Sequence, residues 1–302
     1  MVDQAQKLRE MVRQSNYEVM DSYSDREYKG DKTRGKIVTI SSGECGVDRY
    51  NIMLNLAITL NSLGNKVLII DTDMDNKNNG YILDDKFPDF NLSDVIYKNM
   101  NIKDIIVEGP EGIHLIYIGQ SIEKMDTLNE KEKKLFLDKV CSLKNYDFIL
   151  IATGYGINKY VLKFIACSDE VILLTNSDQT NLKDAYSLVK VIKHFEMRNS
   201  IKLIVNNIKN KEDGEIVYER FRNATKRFLD MDTEFLGYLY EDTNLVESIK
   251  MRIPVCVKYP NCKFSMCMSD IGKKIFYETH SNEKEVNDIR WVLNKFFNLF
   301  CF

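Results

Sequence analysis

The stretch ISSGECGVDRYN, residues 40–51, sets two glycines, two acids and one guanidinium between an apolar run and an amphipathic one. Ile37 to Ile40 precede it, and Ile52, Leu56, Leu60 and Leu63 follow at helical spacing. A strand, a glycine-bearing loop and a helix are therefore expected in that order. Such a turn can cradle a nucleotide phosphate, because glycine lets backbone N–H groups approach the oxygens and the helix start adds its positive end. The side chains of this loop work against that use. Glu44 and Asp48 bring carboxylates to where phosphate charge would lie, and Tyr50 stands where a small hydroxyl would meet magnesium. A carboxylate about 4 Å from a phosphate charge costs about 4 kcal/mol at an effective dielectric of about 20, roughly a thousandfold in affinity. A second group with chemical character is Cys256, Cys262 and Cys267, with His280 well beyond them. Metal-ligand spacing fits this set poorly, and buried thiols in a reducing compartment are the better reading.

The elements that must position the loop are legible as short apolar runs alternating with helical patterns. Candidate strands are residues 36–41, 66–71, 113–118, 147–152, 170–175, 201–206 and 235–239. They are rich in β-branched residues and mostly apolar throughout, as strands covered on both faces are. Helical stretches lie around 49–63, 129–144, 158–166, 181–197 and 214–229. The alternation predicts right-handed βαβ units and a doubly wound, mostly parallel α/β sheet flanked by helices over residues 36–283. Lys159, Lys163 and Lys183 read as solvated helix charges, and the Met and Phe residues of 260–280 as core or interface.

Both ends differ from this body. Residues 1–14 form a candidate helix with Ala5, Leu8, Met11 and Val12 at helical spacing and Asp3 as a first-turn acid. Residues 15–35 are polar and charged, and read as a linker that would span roughly 25 Å r.m.s. if flexible. At 284–302, a helix would gather Val286, Ile289, Val292, Leu293, Phe296, Phe297 and Phe300 on one face, with Trp291 near the boundary. Asn287, Asp288, Arg290, Asn294, Lys295 and Asn298 would lie mostly opposite. That face could dock on the chain's own core, or meet a membrane or a partner; its terminal position and its aromatic density favour the surface reading.

The bulk numbers bound the rest. A net charge of −3 gives no basic field to recruit nucleic acid. No run reaches the ~20 apolar residues of a membrane span, and the N-terminus has acids and no apolar signal region. A soluble, intracellular protein is expected.

These motifs resemble a known family. MVDQAQKLREMV is similar to the DQAxxLR opening of the FlhG proteins, also called FleN or YlxH, MinD/ParA-like regulators of flagellar number and placement. The likeness continues through the 38–78 segment, YDFILIATGYGI, DEVILLTNSDQTNLKDAYSLVKVI and LIVNN, and so covers nearly the whole chain. It implies a parallel sheet of seven or eight strands and a helical tail that meets the cytoplasmic membrane, here through Ile289, Trp291, Leu293, Phe296, Phe297 and Phe300. It implies partners as well: an FlhF-type GTPase stimulated by Asp3, Gln4, Ala5, Leu8 and Arg9, flagellar C-ring components, and a second copy of the chain. Peripheral membrane association at the cell pole or flagellar base would follow.

Against the family's KGGxGK[ST] loop, Gly43, Gly46 and Val47 are kept. Glu44, Cys45, Asp48, Arg49 and Tyr50 replace a lysine, two glycines, the phosphate-binding lysine and the magnesium hydroxyl. Ala152 replaces the aspartate of the DTGAG segment. Asp71 and Asp73 survive, Asp73 at the position of the water-activating acid, and Asn206 matches the asparagine beside adenine. With both magnesium handles lost, the expectation is a degenerate Walker loop on a pseudo-ATPase scaffold, needing no cofactor, with ATP and Mg²⁺ only if the loop still functions. The alternative is an active ATP-dependent dimerising switch.

Overall fold

The computed structural model describes residues 35–43, 49–72, 90, 92–98, 100–118, 121–140, 143, 145–281 and 289–299, with backbone alone at 289–291. Eight strands form a single sheet: β1 (Lys36–Ser42), β2 (Val67–Asp71), β3 (Ile106–Glu108), β4 (His114–Tyr117), β5 (Phe148–Ala152), β6 (Glu170–Thr175), β7 (Ser200–Ile208) and β8 (Asp232–Tyr240). Their order is β3-β4-β2-β5-β1-β6-β7-β8. All neighbouring pairs are parallel except β3 with β4. The seven expected strands are present. β3 was not expected, because three residues are too few to show a period.

Successive residues of β1 serve opposite layers. Ile37 joins one core with Phe136, Phe164, Leu188 and Phe221, while Val38 and Ile40 join the other with Leu56, Phe264, Met268 and Ile271. That two-sided burial is why the strands read as continuous apolar runs. The helices start on polar caps. Asn158 accepts from the Tyr160 and Val161 N–H groups at the head of Lys159–Cys167, and Asp178 from those of Thr180 and Asn181 at the head of Gln179–His194. The strand order reverses direction around β1, so the C-terminal ends of β1, β5 and β6 border the crevice where open α/β sheets take ligands.

Two side-chain expectations fail here. Lys163 is 2% exposed, not solvated, and its ammonium lies 2.7 Å from Asp126 Oδ1. The charge is tolerated in the core because a carboxylate faces it. The three clustered thiols are half-buried rather than buried. Among the described residues no group of three or more His, Cys, Asp or Glu side chains could hold a metal ion.

Candidate functional site

The site is built where β1 ends and the helix Arg49–Ser62 begins. Register aligns Ile40 with Ala152 of β5, and Ala152 with Asp71 of β2, so three strand ends lie side by side. Beyond them the chain is tied down by backbone bonds. Thr72 donates both its N–H and its hydroxyl to the Ala152 carbonyl, at 3.0 and 2.8 Å. Thr153 N–H reaches the Ile40 carbonyl at 3.2 Å, and Gly156 N–H reaches that of Ser42 at 3.2 Å. Gly156 has φ 71°, a conformation glycine adopts without penalty. The loop after β5 therefore lies over the end of β1.

Gly43 is required for a packing reason. A Cβ there would stand 2.2 Å from the backbone nitrogen of Ala185, in the helix Gln179–His194. Arg49, in the lysine position, is buried and turns back to donate from Nη1 to Ser42 Oγ at 3.2 Å. Tyr50 packs partly buried against the core beneath the helix. Burial, and next the nearby Asp71 carboxylate, push its phenol pKa far above the ordinary value. Both influences favour the neutral phenol over the phenolate. Ala152 is 2% exposed and offers a methyl group. The two positions that the resemblance assigns to magnesium therefore present a phenol and a methyl group, neither of them a carboxylate or a small hydroxyl.

Asp71 is buried at the end of β2. Asn206 lies on β7, two strands from β1, next to Asn207 with φ 56° at a break in register with β8. Glu44, Cys45, Gly46, Val47, Asp48 and Asp73 lie outside the described residues, as do Asp3, Gln4, Ala5, Leu8 and Arg9. Sequence reasoning missed Ser41, Thr175 and Asn181. Their side-chain oxygens are buried at the ends of β1 and β6 and in the first turn of Gln179–His194, with no hydrogen-bond partner among the described residues. The only signal was polar residues directly after apolar runs. These groups add polarity at the strand ends.

The tail requires a correction. The helix Ile289–Asn298 lies on the body, and Phe296 and Phe297 are 0% and 4% exposed. Phe296 packs on Phe164 with ring centroids 4.8 Å apart, and Phe297 meets Phe136 edge-on at 6.1 Å. Leu293 packs against the same core, half-buried. The surface assignment of Phe296 and Phe297 does not hold in this conformation: an apolar seat on the same chain covers the face without the cost of association. Phe300 and the side chains of Ile289 and Trp291 lie outside the described residues. Among the described residues no helix is long and apolar enough to cross a membrane.

Comparison with known proteins places this geometry. A family model described as an AAA domain matches residues 35–205. The chain is 23% identical over 241 residues to the antiactivator FleN of Pseudomonas aeruginosa, covering 80% of this chain and 86% of that protein. It is 26% identical over 270 residues to the flagellum site-determining protein YlxH of Helicobacter pylori, covering 89% and 91%. The MinC:MinD cell division protein complex of Aquifex aeolicus matches with a TM-score of 0.64 at 21% identity, covering 84% of this chain and 98% of that one. At that identity the likeness is one of fold.

Proposed function

The chain belongs to the AAA-domain family, with FleN and YlxH among its MinD/ParA-like relatives, and on that premise we propose that it regulates flagellar number or placement as a scaffold with little or no ATP turnover. The relatives' names support the flagellar setting. The observation that carries the loss of turnover is the pair Tyr50 and Ala152, a neutral phenol and a methyl group at the two places where the fold handles magnesium. Phosphoryl transfer relies on that ion to neutralise the developing charge.

In this reading binding does the work. Asp3, Gln4, Ala5, Leu8 and Arg9 would engage an FlhF-type GTPase and stimulate it, while the body meets C-ring components or a second copy. The tail, once undocked, would meet the membrane. Titration calorimetry of the full chain with ATP and Mg²⁺, with a phosphate-release assay, should give neither micromolar binding nor turnover; either result overturns the scaffold reading. In the same preparation the chain should accelerate GTP turnover by an FlhF-type GTPase, and Gln4→Ala should abolish that acceleration. No acceleration by the parent chain would remove the stimulating role.

A further inference from the structure

Two thiols away from the loop converge on one serine. Cys256 lies in the short helix Val255–Lys258, and Cys262 directly precedes the helix Lys263–Ser281. Two turns fold the chain back between them: the Tyr259 N–H bonds the Val255 carbonyl at 2.8 Å, and the Cys262 N–H bonds the Tyr259 carbonyl at 3.1 Å. Ser265 is buried in the first turn of the longer helix. Its hydroxyl lies 3.2 Å from Cys262 Sγ, and its N–H donates to the same sulfur at 3.5 Å. The Cys256 thiol is hydrogen-bonded to that same hydroxyl and to the hydroxyl of Thr59, on the helix Arg49–Ser62. The Cys256 N–H is fixed by Asn55 Oδ1 of that helix at 2.9 Å. Cys267 is set apart, because five helical positions carry it about 140° round the axis and about 7.5 Å along it from Cys262.

We propose that Cys256 and Cys262 form an oxidant-sensitive dithiol, closed across Ser265 into a disulfide by a hydroperoxide. The inference goes beyond the functional reading above and does not depend on it, since it needs neither nucleotide nor partner. Both thiols are half-buried, open enough for a small peroxide to reach. Burial pushes the Cys256 thiol up to about 11, so it is protonated near neutral pH and reacts second. In the first step the Cys262 thiol gives its proton to solvent and its sulfur takes one oxygen of the peroxide. The O–O bond breaks, and the other oxygen leaves as water. In the second step the Cys256 sulfur attacks the sulfenic sulfur and the S–O bond breaks. The departing hydroxide takes the Cys256 proton and becomes a second water. Two thiols are thereby oxidised by two electrons, and one peroxide is reduced to two waters. Closure withdraws both sulfurs from Ser265. It also takes Cys262 from the Asp242 carboxylate, which caps Thr243–Met251 through the Asn244 N–H and accepts from the Phe264 N–H at 3.2 Å.

Trypsin separates the three thiols of this region, because Arg252, Lys258, Lys263 and Lys273 place Cys256 in 253–258, Cys262 in 259–263 and Cys267 in 264–273. The full chain, reduced and then treated with hydrogen peroxide, is blocked with iodoacetamide and digested. Mass spectrometry should find peptides 253–258 and 259–263 joined, with two hydrogens lost, in most of the chain, and separate again after reduction. Cys267→Ser should form the link as the parent does, whereas Cys256→Ser and Cys262→Ser should each lose it. In Cys256→Ser, dimedone should trap the sulfenic acid on Cys262. Peptides 253–258 and 259–263 that stay separately alkylated overturn the proposal. So does a link that runs to Cys267 or to a second chain, or the absence of a dimedone adduct on Cys262.

Discussion

Gly43 fits between β1 and the helix Gln179–His194 only because it lacks a side chain. Its presence in a glycine-bearing loop invites a phosphate reading, but the 2.2 Å approach of a Cβ to the Ala185 nitrogen is reason enough to keep it. Gly43→Ala should lower unfolding free energy by about 2 kcal/mol or more in urea titration, since the obstacle is backbone that cannot swing aside. A neutral result would mean that the helix yields. Arg49 makes a related point. Its guanidinium turns back to Ser42 Oγ. A planar fork suits that hydroxyl at the strand end and is a poor substitute for a lysine reaching β- and γ-phosphates. From sequence, Lys163 reads as a solvated helix charge and Lys295 falls mostly opposite the apolar face of its helix. Both are buried, because the residues around them, Asp126, Phe296, Cys167 and Asp169, come from other parts of the chain and no local pattern announces them.

At the scale of elements, the tail helix shows how far periodicity reaches. A wide apolar face at 284–302 predicts a buried face and says nothing about what buries it. The seat formed by Glu130–Val140 and Lys159–Cys167 decides that, through Phe136 and Phe164. Phe296→Ala removes the ring at the centre of the contact, a loss of about 3 kcal/mol by the usual cost of a buried Phe. If the tail leaves as a unit, the loss appears as faster exchange in 289–299 with β1 and β5 amides unchanged. A cooperative fall of the whole transition would instead make the tail an integral part of the core. The short hairpin of β3 and β4 lies at the other limit. Its register, Ile106 with Ile116 and Glu108 with His114, is set by the turn at 109–112, where the Gly109 N–H bonds the Ile113 carbonyl at 2.8 Å. Three residues carry too little pattern for that strand to be read in advance.

Across the whole molecule, one charge network joins distant parts of the chain. Glu170 Oε1 at the start of β6 lies 2.5 Å from Lys36 on β1 and 3.1 Å from Lys202 on β7. Lys202 also pairs with Glu278, and Lys36 bonds Thr279 at 3.0 Å, both on the helix Lys263–Ser281. Burial alone would raise the Glu170 carboxyl, but the Lys36 and Lys202 ammonium groups outweigh it and hold its pKa below the ordinary value. A depressed acid contributes stability that is present above its unfolded value of about 4.3 and lost as pH falls through the folded one. Glu170→Gln should therefore cost about 3 kcal/mol near neutral pH, by leaving two buried ammonium groups facing a neutral amide. It should also flatten the acid side of the stability curve measured by denaturant titration from pH 7 downward. An unchanged acid slope would show that the network does not couple to folding.

The doubly wound sheet was legible in the sequence because strands buried on both faces must be apolar throughout, and seven of them alternate with amphipathic helices. The loop after β1 was legible for the same local reason: glycines, acids and Tyr50 follow a strand and precede a helix. Contacts made by residues far apart were decided only by the tertiary structure. They include the phenol of Tyr50 beside Asp71, the Gly43 approach to Ala185, the orphaned Ser41 and Thr175 hydroxyls, and the docked tail with Lys295 beneath it. The division follows from physics. Secondary structure answers to the period of neighbouring side chains, whereas burial of a charge and occupation of a site depend on which distant surfaces the fold brings to face them.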